Sequence, residues 1–278
     1  MRNISEWKPT KVKRRGSQFS ANPAGMAPGS LYITMEAFCA LDAHASYLHG
    51  HLVDLGCGDV AYYEWYKDRV QKITCIDWPG SLHKAKHVDV FANLSQGLPL
   101  PTASVDCVLL TSVLEHIGEP QLLFKETRRI LAKDGHLIPS VPFLYQLHEE
   151  PFDYYRYTQH GLEHLAKEAG LEVISMTHYG SAFGVLVDVS SKTTESAIGV
   201  ICNFLPKRIS VGIGLLGYKI LRGFQQFCFF ILKRRRVLEG LDRLNLSRRI
   251  PLGYVAVFAV KTCSSKSAFI QQNKNSQL

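Results

Sequence analysis

The 278-residue chain has no C-x-x-C pair, although it holds seven cysteines, at 39, 57, 75, 107, 202, 228 and 263. Without close pairs or metal-ligand spacing, neither a disulfide framework nor a cysteine-held metal is expected, and no metal site is assigned. Several thiols sit inside apolar runs such as ITCID and VDCVLL, where a free cysteine behaves as a small hydrophobe. That suits a reducing compartment. The opening MRNISEWKPTKVKRR lacks an apolar core of signal-peptide length, which argues against secretion and for a cytoplasmic protein. Also missing is an uninterrupted apolar run of about twenty residues, the length a membrane-spanning helix needs. With 46% hydrophobic and 20% charged residues, the composition is globular and leaves disorder to the ends.

Charge is present but unevenly spread. Residues 1–20 carry six Lys/Arg and one acid, and residues 201–250 carry eleven Lys/Arg and two acids. Those segments hold +5 and +9, so a chain of total charge +8 keeps −6 for the rest. A mildly acidic body with two basic appendages points to an anionic partner for the appendages, nucleic acid or anionic lipid.

Hydrophobic periodicity orders the chain. Leu31, Met35, Phe38, Leu41 and Leu48 recur at helical spacing. HLVDLGCGD then reads as a buried strand entering a tight turn, and YYEWYKDRV as a helix. QKITCID, KHVDVF and SVDCVLLT are predicted as strands, and EPQLLFKETRRILAKDG as a helix opened by Pro120 and closed by Gly135. GHLIPSV, the helix TQHGLEHLAKEAG and the strand LEVISMTHY come next, and PLGYVAVFAVKT is a last strand. Strands alternating with helices predict an α/β fold, doubly wound around a mostly parallel sheet. Four regions result: a basic arm over 1–30, a domain made of 31–180 with 251–263, an amphipathic helical insertion over 181–250, and a flexible tail over 264–278.

The glycine turn VDLGCGDVA fits two nucleoside-binding patterns. As G-x-G-x-x-[GA] it uses Gly56, Gly58 and Ala61, with Asp77 twenty-one residues past Gly56, in the manner of a dinucleotide site. As D-x-G-x-G it uses Asp54, Gly56 and Gly58. Either way, glycines let the backbone approach the ligand and an acid ending the next strand accepts bonds from ribose hydroxyls. Tyr62, Tyr63 and Trp65 at the start of the next helix would crowd a pyrophosphate, which favours the second pattern.

Beyond the turn, the chain resembles the class I S-adenosylmethionine-dependent methyltransferases of type 11. NLSQGLPLPTASVDCVLLTSVLEHI and LLFKETRRILAKDGHLIPSVPF keep that group's linked motifs in order. WKPT, CIDWPGSLHK and VPFLYQLHEEPFDYYRYT resemble a bacterial subgroup associated with surface-glycan and lipid-linked pathways. The resemblance implies a Rossmann-like methyltransferase sheet, S-adenosyl-L-methionine as cofactor, and roles for individual residues. Asp54, Gly56 and Gly58 would lie along the methionine portion, Asp77 would hold the ribose, and Trp78 would pack near the adenine. Asn93 and Leu94 would flank the base, and Ser112 would line the site. Val60, where many members have Gly or Ala, and Asn93, where an acid is usual, depart from the pattern. They keep a non-catalytic binding protein open as an alternative, beside an NAD-dependent oxidoreductase.

HEEPFDYYRYT, residues 148–158, comes after the fifth strand, and in an open α/β sheet ligands sit beyond the carboxyl ends of strands. It reads as an acceptor pocket or lid. Tyr154 and Tyr155 offer flat amphipathic surfaces, Arg156 can clamp an anion, and His148 or, second, Glu149 can take a proton. Glu115 and His116 read as residues that order a loop near the cofactor. In the 209–236 stretch, Lys219, Arg222, Gln226 and Lys233 form one helical stripe, while Leu216, Ile220, Phe224, Phe227 and Ile231 lie largely away from it. This suits a peripheral helix on an anionic membrane. Nucleic acid ranks lower, because no recognisable RNA or DNA module accompanies the basic residues. The expected protein is therefore a methyltransferase for a small-molecule, glycan or lipid-linked acceptor at the cytoplasmic membrane face.

Overall fold

The computed structural model describes residues 10–16, 18–22, 27–81, 87–234 and 249–261. The first part of the arm, the basic end of the 209–236 stretch at 235–236 and the tail from Ser264 lie outside those residues. Strand β3 (His51–Leu55) stands near the middle of a seven-stranded sheet. The others are β4 (Lys72–Asp77), β5 (Val90–Phe91), β6 (Val105–Thr111), β7 (Leu131–Pro142), β8 (Leu171–Tyr179) and β9 (Gly253–Val260). Their order is β5-β4-β3-β6-β7-β9-β8. The first five are parallel, and β9 runs antiparallel between β7 and β8.

Side chains alternate across the sheet, so successive residues of β3 feed different cores. Val53 and Leu55 pack with α3 (Pro120–Ile130) and α4 (Gln159–Glu168) through Leu123, Phe124 and Leu162. Leu52 packs on the other face with Phe38 and Leu41 of α1 (Leu31–Asp42) and with Trp65 and Tyr66. This double covering makes the central strands read as near-continuous apolar runs. The chain leaves β3 toward β4 on one side and later returns through β6 on the other. A crevice therefore opens beyond the carboxyl ends of β3 and β6, the usual place for a ligand.

Three elements differ from the sequence expectation. The α3 helix ends at Ile130, not near Gly135, because Leu131 already pairs with Val105 in the sheet. The next paired residue is His136, opposite Cys107, so residues 132–135 form an excursion within the pairing. A Cβ on Gly135 would stand 3.1 Å from the carbonyl oxygens of Ala132 and Val105, which is why glycine serves there. The predicted helix after the glycine turn is one turn, α2 (Tyr63–Tyr66), held by burial of Trp65 and Tyr66. The arm contains an antiparallel hairpin, β1 (Val12–Arg15) and β2 (Gln18–Ala21). Val12 is buried, Arg14 pairs with Asp68 at 2.8 Å, and the Arg14 and Arg69 guanidinium groups lie over Phe19.

Between β8 and β9 run two long helices, α5 (Ala182–Asn203) and α6 (Lys207–Leu232), packed on each other and on α1. The buried Gln225 side chain accepts from the Tyr32 backbone N–H at 2.8 Å, and Lys233 reaches Glu36 at 2.9 Å. Of the basic stripe, Lys233 thus makes a docking contact, while Lys219 and Gln226 are exposed. Leu216, Ile220 and Phe227 face outward at 61%, 64% and 64% exposure. Among the described residues, no helix is long and apolar enough to cross a membrane.

Candidate active site

The glycine turn begins where β3 ends. Gly56 has φ +65° and Gly58 φ +52°, left-handed values that disfavour side chains. A Cβ on Gly56 would also come within 2.4 Å of Val113. The N–H groups of Gly56 and Cys57 donate to the carbonyl of Ile76, tying the turn to β4. Asp77 completes the tie: its buried carboxylate accepts from Gly58 N at 2.9 Å and from Trp78 N at 2.7 Å. Val60 is fully buried at φ +57°. A β-branched residue in that region stores backbone strain of about 1–3 kcal/mol, a feature that clusters at ligand sites.

Asp54, two residues before Gly56, is buried and accepts a 2.8 Å bond from the Tyr66 hydroxyl. Burial pushes its carboxyl up to about 7, against the opposing pull of that hydroxyl. A folded-state pKa above the unfolded value means that the folded chain binds the extra proton between about pH 4 and 7. This contribution to stability is complete below pH 4 and is lost as pH rises through 7. Asp54→Asn should therefore flatten the pH dependence of the melting temperature, gaining relative to wild type by a few kcal/mol at pH 8. Parallel melting curves from pH 5 to 8 would contradict this assignment.

These residues border a cavity of about 1080 Å³. Typical small-molecule pockets hold roughly 300–1,000 Å³, so there is room for a cofactor and an acceptor together. Asp54, Gly56, Gly58, Asp77 and Trp78 line it, as do Asn93, Leu94 and Ser112. The Asn93 side-chain oxygen accepts from Ser95 N at 3.0 Å, shaping the loop beside the pocket. Trp78 is 40% exposed and meets Phe152 edge-on at 5.2 Å. That contact joins the nucleoside wall to the 148–158 loop.

The loop divides into a lining part and a scaffold. His148, Glu149 and Tyr154 line the cavity, whereas Tyr155 and Arg156 are not among its lining residues. Arg156 grips Asp153 through both carboxylate oxygens, at 2.6 and 2.8 Å, and donates to the carbonyls of Tyr145, Gln146 and Tyr155. Tyr155 hydroxyl donates to the Gly118 carbonyl. Arg156 thus braces the loop internally, and Tyr155 anchors it to Gly118. Arg156→Ala should lower stability by about 3 kcal/mol, because it leaves the Asp153 carboxylate, whose side chain is 1% exposed, with the His148 backbone N–H and no paired cation. Arg156→Lys should recover less than half, lacking the planar fork. Denaturant unfolding checks this; unchanged stability with lost turnover would return Arg156 to acceptor binding.

Glu115 and Lys11 also line the cavity. Glu115, on a 3-10 turn after β6, has its carboxylate fully buried without a hydrogen-bond partner. Burial pushes it up to about 8. Lys11 lines the cavity from the hairpin, where burial lowers its pKa against the opposing field of Glu149, Glu115 and Asp59. Only the alternation of charge with apolar residues in the arm could have signalled Lys11. The VLEHI motif drew attention to Glu115 and His116, but nothing local showed their burial.

Residues 53–138 match the family profile described as a methyltransferase domain, type 11. The fold is similar to that of an S-adenosylmethionine-dependent methyltransferase from Archaeoglobus fulgidus, at 13% identity and TM-score 0.51, covering 83% of this chain and 96% of that one. A protein from Galdieria sulphuraria, assigned as a sarcosine dimethylglycine methyltransferase, is similar at 15% identity and TM-score 0.50, covering 92% and 95%. At such identities the two structures speak for the fold. A search of curated proteins found no significant match. Residues 53–138 therefore carry a methyltransferase domain. These findings support an S-adenosylmethionine-dependent methyltransferase.

Proposed function

We propose that this methyltransferase acts on a small-molecule, glycan or lipid-linked acceptor, and that it does so at the cytoplasmic face of a membrane. The observation that carries the reading is the cavity shared by the glycine turn, Asp77 and the 148–158 loop. Asp77 would receive the ribose hydroxyls, with Asp54, Gly56 and Gly58 along the amino-acid end and Trp78, Asn93 and Leu94 around the base. When bound, S-adenosylmethionine supplies a sulfonium-activated methyl group. The chain's own work is then mostly positioning, which serves an in-line displacement well. Tyr154 and Phe152 supply acceptor surface, and Glu149 or His148 can accept the proton of a hydroxyl or ammonium acceptor.

A lipid-linked acceptor is favoured by the outward apolar face of α5 and α6. Both helices pack against the 28–30 turn, and Ser30 of that turn borders the cavity. A membrane under the helices would bring an acceptor headgroup to the cavity's edge. The experiment is transfer of labelled methyl from S-adenosylmethionine by the full chain to a total membrane fraction, with phase extraction afterwards. Label in the organic phase supports the lipid-linked arm, and label confined to water-soluble species selects a free acceptor. No transfer to either, from protein that binds S-adenosylhomocysteine, would reject the proposed acceptor classes.

A further inference from the structure

We infer that Glu115, His116 and His148 form a binding site for one divalent first-row transition-metal ion at the acceptor end of the cavity. One ligand atom from each lies within 4.8 Å of the others. His116 Nε2 and His148 Nε2 each stand 3.9 Å from Glu115 Oε1. The carboxylate at the centre of this group is the fully buried one with no hydrogen-bond partner. An unsatisfied buried carboxylate is costly, and an ion bound to it removes that cost.

The far sides of both imidazoles support the same conclusion. His116 Nδ1 lies 2.8 Å from the Phe152 carbonyl oxygen, which can only accept, so Nδ1 carries the proton. His116 Nε2 is left with its lone pair toward Glu115. His148 Nδ1 lies 3.3 Å from Asp153 Oδ2, outside hydrogen-bond geometry, and that carboxylate is held by Arg156. That contact does not fix the tautomer of His148, whose Nε2 faces Glu115. A carbonyl or carboxylate behind each ligating histidine is the usual support of metal sites. The brace at Arg156 thereby acquires a purpose, as the group that holds Asp153 behind His148.

The donor set also narrows the ion. Two neutral imidazoles and a carboxylate suit zinc, iron, cobalt or nickel better than magnesium or calcium, which prefer oxygen. Bonds of about 2.0–2.2 Å in tetrahedral geometry place ligands about 3.3–3.6 Å apart. The two Glu–His separations of 3.9 Å are a few tenths wider and the widest, up to 4.8 Å, more than about 1 Å wider, so the imidazoles must rotate inward on binding. Glu149 Oε2, 4.0 Å from His116 Nε2, borders the same space. All four residues line the cavity, so coordination positions not filled by protein would face the acceptor. Oxygen ligands of that acceptor, a hydroxyl or carboxylate, are what such an ion would take. With His148 Nε2 committed to the ion, Glu149 remains as the proton acceptor. The binding site stands on the donor geometry; only the identity of its outer ligand rests on the proposed function.

The test is titration of chelator-stripped full-length protein with Co²⁺, read by its visible ligand-field spectrum, with S-adenosylhomocysteine titrated separately by calorimetry. One equivalent should bind with nitrogen–oxygen bands, and Glu115→Gln and His116→Ala should each weaken it at least about tenfold while still binding S-adenosylhomocysteine. In wild-type protein, Co²⁺ should also protect His116 and His148, but not the exposed His160, from acylation read by peptide mass spectrometry. Absence of a bound equivalent, undiminished binding in both variants, or acylation of His116 and His148 unchanged by Co²⁺ would overturn the site. Loss of S-adenosylhomocysteine binding with Co²⁺ binding intact would instead count against the cofactor assignments.

Discussion

Asp77→Ala should weaken S-adenosylhomocysteine binding about 100-fold while leaving the chain folded. The carboxylate does two jobs. It accepts from Gly58 N and Trp78 N, fixing the turn against the end of β4, and in the proposed arrangement its other lone pairs would meet the ribose hydroxyls. Hydrogen bonds to a charged group contribute about 1.5–3 kcal/mol each, and about 2.8 kcal/mol corresponds to a factor of 100. Loss of the two bonds from Gly58 N and Trp78 N also costs stability, so the affinity is read on protein shown to be folded. Asp77→Asn is the sharper control: it keeps the volume, but its NH₂ group cannot accept from a backbone N–H or from a ribose hydroxyl. Calorimetric titration decides the matter, with circular dichroism to confirm folding. Wild-type affinity in folded Asp77→Ala would remove the residue from the ribose site.

The features legible in sequence are those whose geometry is set locally. A buried strand, two glycines at positive φ and an acid closing the next strand lie within twenty-seven residues, 51 to 77. Each is dictated by neighbours along the chain. The alternation of strands and helices gave the parallel sheet for a similar reason, since a strand covered on both faces must be apolar throughout. The 148–158 loop was legible as an edge of the cavity, but its residues could not be sorted. Whether Arg156 meets a ligand or Asp153 depends on which way a three-residue turn points, and composition does not encode that. Glu115, His116 and His148 come from two loops more than thirty residues apart in sequence. Their convergence results from β6 and β7 being neighbours in the sheet. The orientation of α6 was equally invisible, because it is fixed by Glu36 and by the backbone of Tyr32, both on α1.

That orientation leads to the remaining large effect. Replacing Leu216, Ile220 and Phe227 together by Asp should reduce binding to anionic vesicles more than about 100-fold. All three project from the outer face of α6 at more than 60% exposure, so the substitutions cost the fold little, and S-adenosylhomocysteine binding should be unchanged. Full burial of such side chains stabilises by about 1.5–3 kcal/mol each. Partial insertion at an interface yields roughly half, and three residues still sum to about 3 kcal/mol before the cost of placing carboxylates there. Lys219, exposed on the same helix, and Arg234, whose guanidinium lies over Phe230, should make binding fall as salt rises, by about 1 kcal/mol per basic residue near the surface. Vesicle flotation at two salt concentrations measures both terms. If the triple variant floats as well as wild type, the helix does not hold the protein to membranes. A salt-independent dimer that the triple variant dissolves, with no vesicle binding by either, would mean that the face is covered by a second copy of the chain. The apolar surface would then serve assembly, and the acceptor would have to reach the cavity from solution.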